Sequence, residues 1–317
     1  MNDSRIRISV VMPVYNAAAH VESAIRSVLA SDLAELELIV LDDGSTDGSL
    51  AIARGIDDPR VVVVALKASG GPSRPRNLGI AQARAPYVAL LDADDLMKPE
   101  KLSAAVAALD AHPGAGVAFG DYERIDTDGR LFEHSTLSAY PVFSQLPTTP
   151  AADGWRLIRQ RDFALGLLHE NFIGTSGVVL RKRVLDQVGG FDESLTYSED
   201  RDLWFRLAHA CDALYLPRIG HSYRVAPGSL SFRPGAQQAR SRLVVLRRER
   251  LRWDSREARR QIDRLLAENH AAIAYEHRRR GRRLQAFASF LRAMSTSPEL
   301  RWLRAAAGSL RPSLGGN

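Results

Sequence analysis

Leu36-Glu-Leu-Ile-Val-Leu-Asp-Asp-Gly-Ser-Thr-Asp47 is a nearly continuous apolar run that ends abruptly in carboxylates and a glycine turn. Such a run, lacking strict polar alternation, suits a strand buried on both faces of a parallel sheet. Outward from it the same unit recurs. Ile6 to Met12 precedes a helix over Ala17 to Ala30, and the quoted run precedes one near Asp47 to Arg54. Val61 to Leu66 precedes a helix over Ser73 to Arg84, and Tyr87 to Leu91 one over Pro99 to Ala111. Strands alternating with helices predict an α/β fold with a doubly wound, mostly parallel sheet.

The 317-residue length allows two domains, or one large α/β domain with an appendage. A single cysteine, Cys211, excludes an intrachain disulfide, suits a reducing compartment, and with no Cys/His cluster excludes a zinc module. Pro13 breaks the first apolar run before it could act as an export signal, and no apolar stretch reaches the length of a membrane span. A cytoplasmic place is therefore expected. From Arg240 onward 19 arginines face seven acids. That is a net +12 against +6 for the whole chain, leaving −6 for everything before it. Boundaries are expected at 1–234 for the α/β domain and 235–317 for a basic helical extension.

Beyond the four repeats, a long loop or a small excursion is expected over Asp126 to Asp153, a helix over Gly154 to Leu168, a strand over Gly177 to Leu180 and a helix over Glu199 to His209. Ligands of a doubly wound sheet bind outside the carboxyl ends of its strands. Here those ends read Pro13-Val-Tyr-Asn16, Asp42 to Asp47, Ala68-Ser-Gly-Gly71 and Asp92-Ala-Asp94-Asp95. If strand geometry persists, Asp92 and Asp94 point to one side, where two carboxylates repel unless a cation joins them. Mg²⁺ fits, because it takes oxygen ligands from one or two carboxylates plus substrate phosphates. The bland alternative is a solvated turn with Asp95 capping the next helix. Asp43 suits the ring N–H of a base. Gly70-Gly71 and the helix start at Ser73 offer backbone N–H groups to phosphate, with Arg76 as charged partner.

Taken in order, Pro13-Val-Tyr-Asn16, Asp42-Asp-Gly-Ser-Thr-Asp47, Arg76-Asn77-x-Gly79 and Asp92-x-Asp94-Asp95 resemble a family 2 glycosyltransferase of GT-A fold. Gly189-Gly-Phe-Asp192 and Ser198-Glu-Asp200-Arg-Asp-Leu-Trp204 extend the resemblance, which covers Ile6 to Ser231 and excludes the basic tail. It implies that Pro13 and Tyr15 flank the nucleotide, Asp43 reads the base, Asp92 lies near the ribose, and Asp94 with Asp92 holds Mg²⁺ or Mn²⁺. It places the general base at Asp200, with Glu199 as second choice; the competing reading is that both acids merely open a helix. It further implies an inverting hexosyltransferase moving sugar from a nucleoside-diphosphate sugar, UDP being the commonest, to a hydroxyl of a glycan or lipid-linked acceptor of a bacterial surface polymer. Two departures stand out. Ala226 occupies a position where many relatives carry His, leaving His221 or Tyr223-Arg224 as stand-ins at the diphosphate. The Q-x-x-R-W signature of processive synthases is absent, since Pro298 precedes Arg301-Trp302, so one sugar per encounter is expected.

In the tail, Arg278-Arg-Arg-Gly-Arg-Arg283 precedes Leu284, Phe287, Leu291 and Met294, spaced along one helical face. Two readings stay open: a basic amphipathic helix at the inner face of the cytoplasmic membrane, or a helix packed back on its own protein. A different class of function pairs a non-catalytic nucleotide-binding body with an Arg-rich tail that binds nucleic acid or membrane. Nucleic acid is disfavoured by the acidic body and by sparse aromatics. A dinucleotide-binding dehydrogenase is disfavoured because no G-x-G-x-x-G follows the first strand.

Overall fold

The computed structural model describes residues 6–226 and 235–310. Pro227 to Ser229 and the boundary expected at residue 234 lie outside them. The described residues form two compact units, 6–193 with 200–226, and 194–199 with 235–310.

In the first unit the strands are β1 (Ile8–Val14), β2 (Leu36–Asp42), β3 (Val61–Ala65), β4 (Tyr87–Leu90), β5 (Leu96–Met97), β6 (Ala115–Ile125), β7 (Leu131–Glu133), β8 (Thr149–Pro150), β9 (Arg156–Ile158), β10 (Val178–Arg181) and β11 (Asp212–Arg224). Its helices are α1 (Val21–Leu29), α2 (Ser49–Arg54), α3 (Ser73–Gln82), α4 (Lys101–Ala111), α5 (Val142–Gln145), α6 (Gln160–His169), α7 (Lys182–Val188) and α8 (Glu199–Ala208), the last opening on a residue of the second unit. One sheet takes the order β3-β2-β1-β4-β10-β6-β11-β9-β8, with β5 on β11 and β7 on β6. The first four strands are parallel, β10 runs antiparallel to both neighbours, and β11 is parallel to β6. The doubly wound, mostly parallel sheet expected from the apolar runs is present, with β10 as the reversed insert.

β1, β2 and β4 are buried almost throughout, which accounts for their unbroken hydrophobicity. Glu37, near the start of β2, accepts from Ser9 Oγ at 2.6 Å and from the Arg84 backbone at 2.9 Å. Burial alone would raise its pKa, yet these bonds and the Arg84 guanidinium hold it below the usual carboxylate range. Gly79 lets α3 press against the sheet, because a Cβ there would lie 2.4 Å from Val11 Cγ1 and 2.9 Å from Leu41 Cδ2.

The helix expected from Gly154 is corrected. Asp153 and Gly154 both take positive φ, turning the chain so that Arg156–Ile158 pairs with β8 and β11 and Trp155 is buried. The helix begins only at Gln160, whose backbone N–H meets the Asp212 carboxylate at 2.8 Å. Part of the loop expected over Asp126 to Asp153 is also ordered, into β7, β8 and α5.

The second unit contains α9 (Ala236–Arg252), α10 (Arg256–Arg279), α11 (Arg283–Thr296) and α12 (Leu300–Ser309). α10 packs on α9 and α11, and α11 on α12. One core cluster of this unit joins Ala267, Ala271, Ala274, Ala293 and Ala306 with Phe290 and Trp302. Phe287, Leu291 and Met294 flank this core half-buried, whereas Leu284 is exposed. Among the described residues no helix is long and apolar enough to cross a membrane.

Candidate active site at the sheet switch point

The order 3-2-1-4 sets the carboxyl ends of β2, β1 and β4 side by side, where the strand order reverses. Val14 is in register with Asp42, and the Asp43 N–H donates to Val14 O at 2.8 Å. Beyond β1, Asn16 takes φ +50° and its Oδ1 accepts from Thr46 N at 2.8 Å. Asp47 accepts from Ala18 N and from Ser49 N, so it ties two turns together and does not cap α2, whose N-cap is Gly48. Gly44 is needed at φ +76°, since a Cβ would sit 2.8 Å from Ala68 N. That approach lets Ser69 donate to the Asp43 carboxylate through its N–H at 3.0 Å and its hydroxyl at 2.8 Å. Asp43 is buried and its carboxylate is thereby fixed in orientation.

After β4 the strand does not continue. Asp95 N–H donates to Asp92 O at 3.1 Å, so Asp92 to Asp95 form a turn. The expected same-side strand geometry is replaced by this turn, yet the carboxylates still feel one another. Burial, then the Asp92 charge, pushes the Asp94 pKa up to about 6. Asp92 is held by Arg76 Nη2 at 2.6 Å, and that guanidinium is itself buried, 5.3 Å over the Phe191 ring. Arg76 thus positions a carboxylate from inside the fold. Asp95 does not cap α4. It is buried, accepts Arg224 N–H at 2.8 Å, and has a pKa raised well above the usual value by burial and by Asp94 and Asp92.

Arg224, at the end of β11, is the main brace of this turn. Its Nε donates to Asp94 O at 2.9 Å and its Nη1 to Asp126 O and Thr127 O at 2.9 and 3.1 Å. His221 is buried against Tyr122, ring centroids 5.0 Å apart, with Gly174 and Gly177 at its edge. Burial and the nearby Lys101 and Lys98 push its pKa down, so it is a neutral core ring, closed to a diphosphate. Ala226 supplies no side chain for that task.

One segment ties the acidic turn to the second carboxylate. In the stretch between α6 and β10, Asn171 Nδ2 donates to Asp200 Oδ2 at 2.8 Å, and Ser176 Oγ accepts Asp92 N–H at 3.0 Å. Lys101 Nζ donates to Ser176 O, and burial pulls that amine down to about 7. Asn77 latches the Gly-Gly-Phe-Asp turn, donating to Phe191 O at 2.9 Å and accepting Phe191 N–H at 2.7 Å. Ser198, at φ +60°, turns the chain into Glu199 and Asp200. Ser69, Asn171, Ser176, Lys101 and the brace Arg224 were not legible as a set, because their roles depend on contacts across 26 to 130 positions.

The donor set fits a hard divalent cation: two carboxylates, one of them buried with too little positive charge to keep its pKa low. Among the described residues no group of three or more His, Cys, Asp or Glu encloses a metal. A two-oxygen site of this kind needs further ligands from the substrate.

Comparison with known proteins decides the lineage. The model of the family described as Glycosyl transferase family 2 matches residues 9–189. The chain belongs to that family. Within family 2, it is 31% identical over 229 residues to the succinoglycan biosynthesis protein ExoO of Rhizobium meliloti (strain 1021), covering 71% of this chain and 62% of that protein. An uncharacterized glycosyltransferase of Rickettsia typhi is 30% identical over 200 residues, 63% of this chain and 58% of the relative. The chain thus spans less than two thirds of the length of these relatives. In solved structures the fold recurs in S. aureus TarS 1-349 in complex with UDP-GlcNAc, with TM-score 0.66, 22% identity, and 96% and 88% of the two chains covered. It recurs in the mannosyltransferase PcManGT from Pyrobaculum calidifontis, in complex with GDP-Man and Mn²⁺, with TM-score 0.58, 19% identity, and 96% and 80% covered. The GT-A fold of family 2 accounts for the sheet order and the acidic turn. Within it Tyr15 is exposed and Pro13 half-buried at the end of β1, so both are open to a planar ligand.

Proposed function

We propose that the chain is an inverting, metal-dependent, non-processive glycosyltransferase. It moves a hexose from a nucleoside-diphosphate sugar, UDP-sugar above others, to a hydroxyl of a glycan or lipid-linked acceptor in surface polysaccharide assembly. The observation that carries this reading is the Asn171 to Ser176 stretch, which hydrogen-bonds both Asp200 and the Asp92 turn and so links a base to a donor-binding turn.

Tyr15 and Pro13 offer apolar surface to a base, and Asp43, held by Ser69, presents fixed acceptor oxygens. Asp92 and Asp94 would hold Mg²⁺ or Mn²⁺. Such a cation neutralises charge on the departing diphosphate as a Lewis acid. Asp200, oriented by Asn171, accepts the proton of the attacking hydroxyl, so that one displacement inverts the anomeric carbon. General-base assistance of this kind contributes about 10² to 10⁴-fold. The printed names of the relatives support the setting, since ExoO is a succinoglycan biosynthesis protein and TarS is seen with UDP and UDP-GlcNAc.

The test is calorimetric titration with UDP, GDP, TDP, CMP and NAD in Mn²⁺, Mg²⁺ or EDTA, on wild type and Asp94→Ala. One nucleoside diphosphate is expected to bind, losing affinity with EDTA and in the variant. No binding by any nucleotide sinks the proposal.

A further inference from the structure

The four-helix unit holds a two-lobed cavity that the donor chemistry does not use. One lobe, about 650 Å³, is floored by Ala236, Ala239, Ala272 and the half-exposed Tyr275. The other, about 380 Å³, is walled by Arg240, His277, Arg280 and Arg282, with Tyr197 at its side. Gly235, Ala236, Gln238 and Glu276 belong to both lobes. These volumes lie in the range of small-molecule sites.

The charge here is lopsided. Among the described residues six arginines line the two lobes, and Glu276 is the one acid there. Glu276 is already shared between Arg279 and Arg280. A helix end is the ordinary reason for a run of arginines, since cations offset the last carbonyls. That reason is weak here. The end of α10 is satisfied by its own backbone, with Arg280 N–H on Glu276 O, Gly281 N–H on Arg278 O and Arg282 N–H on His277 O. α9 opens into the same cavity at Gly235 with no side-chain cap and no acid in its first turn, which adds its positive end to the cations. His277 has a buried Nδ1 without a hydrogen-bond partner among the described residues. Burial and the neighbouring Arg240, Arg282 and Arg280 hold its pKa below the ordinary value, a sign of local positive potential.

We infer that this cavity binds an amphiphilic phosphate, with the phosphate or diphosphate among Arg240, Arg282 and the α9 N-terminus and the first carbons of its chain over the alanine floor. Leu251, Leu284 and Leu300 are each more than 70% exposed on this unit, an apolar fringe that suits a lipid surface and does not suit a nucleic-acid backbone. Two sources share the chemistry: a bulk anionic phospholipid and the lipid diphosphate of a membrane-linked glycan acceptor. The second deepens the acceptor reading proposed above and rests on it.

The experiment uses the full chain and four probes: farnesyl diphosphate, inorganic pyrophosphate, a 20-nucleotide RNA, and vesicles of phosphatidylglycerol or phosphatidylcholine. Arg240→Gln/Arg282→Gln is compared with Arg260→Gln/Arg264→Gln, which removes the same charge from exposed positions of α10 outside the cavity. The cavity variant is expected to weaken farnesyl diphosphate or phosphatidylglycerol binding at least tenfold, and the control less than twofold, with unchanged melting temperature. Loss confined to farnesyl diphosphate assigns the lipid diphosphate, and loss confined to phosphatidylglycerol vesicles the bulk lipid; either upholds the site. Equal loss in both variants, binding by pyrophosphate as tight as by farnesyl diphosphate, or tighter binding of a 20-nucleotide RNA overturns it. UDP binding, measured on the same samples, reports separately on the transferase reading, because none of the four arginines lies at the switch point.

Discussion

The two units handle charge in opposite ways. In the β/α unit, several charged groups are drawn inside and given fixed partners: Asp92 by Arg76, the Asp94–Asp95 turn by Arg224, Glu37 by Arg84. In the helical unit most arginines remain at the surface, and one hydrophobic cluster packs alanines around Phe290 and Trp302. Buried charges with dedicated partners are costly to disturb and hold geometry, whereas exposed ones contribute little to stability and much to the surrounding field. A buried, partnered charge positions atoms, and an exposed one attracts.

The largest effects are expected at the carboxylates. Asp94→Ala is expected to cut transfer by about three orders of magnitude, since a Lewis acid contributes several kcal/mol. Asp200→Asn is expected to lose about 10² to 10⁴-fold in turnover while donor affinity, read by calorimetry, stays put. A parallel fall in donor affinity would remove Asp200 from the role of base.

Arg224→Met strips the donors from three carbonyls, those of Asp94, Asp126 and Thr127, at about 1–3 kcal/mol for each acceptor left buried. The melting temperature and Mn²⁺ affinity should fall together, and Arg224→Lys should restore little, because an ammonium lacks the guanidinium fork. Full recovery by Lys would mean that only the charge matters. Gly79→Ala, with its Cβ driven into Val11 and Leu41, is expected to cost about 1–3 kcal/mol of stability. Gly308→Ala in α12 meets nothing within 4 Å and should be neutral or stabilising by up to about 1 kcal/mol. Denaturant titration of both variants compares the two units directly.

Proton linkage sharpens the contrast at a finer scale. The folded pKa of Asp94, about 6, exceeds its unfolded value. Without metal, its contribution to stability is therefore fully present below about pH 4 and is lost as pH rises towards and through 6. A cation selects the ionised form, so Mn²⁺ affinity should rise with pH up to about 6 and drop about tenfold per unit below it. Calorimetry in buffers of different ionisation enthalpy should show proton uptake by buffer near pH 5.5 and almost none at pH 8. The smallest effect is expected at Arg260→Gln, exposed on α10, within about 0.5 kcal/mol of wild type by denaturant titration.

The four parallel strands and their helices were legible because strands buried on both faces are apolar without interruption. The acidic ends were legible because they sit directly after such runs. β6 and β11 went unread for the converse reason. β11 carries Pro217, Gly220 and His221 and changes register against β6 between Leu216 and Ile219, so no clean period survives in its sequence. Arg156–Ile158 read as the start of a helix because three residues carry too little pattern to separate strand from helix, and the positive φ at Asp153 leaves no composition signal. In the tail, Leu284, Phe287, Leu291 and Met294 share a spacing, but the buried stripe is Ala286, Ser289, Phe290 and Ala293. Small residues allow close helix packing and are invisible to a search for large apolar ones. In the site, Asp43, Asp92, Asp94 and Asp200 were named from the sequence, while their supports Ser69, Ser176, Asn171 and Arg224 are joined to them only by the fold.

The reversed strand β10 has a consequence for how the chain is made. It lies between β4 and β6, and the other neighbour of β6 in the sheet order, β11, is encoded later still. A nascent chain that ends before Val178 therefore leaves β4 with one unpaired edge and β6 joined only to the short β7. Open edges of apolar strands are templates for intermolecular pairing, and pairings between distant segments are slow to form. Synthesis passes through a window of more than fifty residues, from Ile125 to Val178, in which the sheet cannot close. Pausing or truncation inside that window should yield aggregates, whereas interruption after Arg224 should leave β4 and β6 paired on both sides.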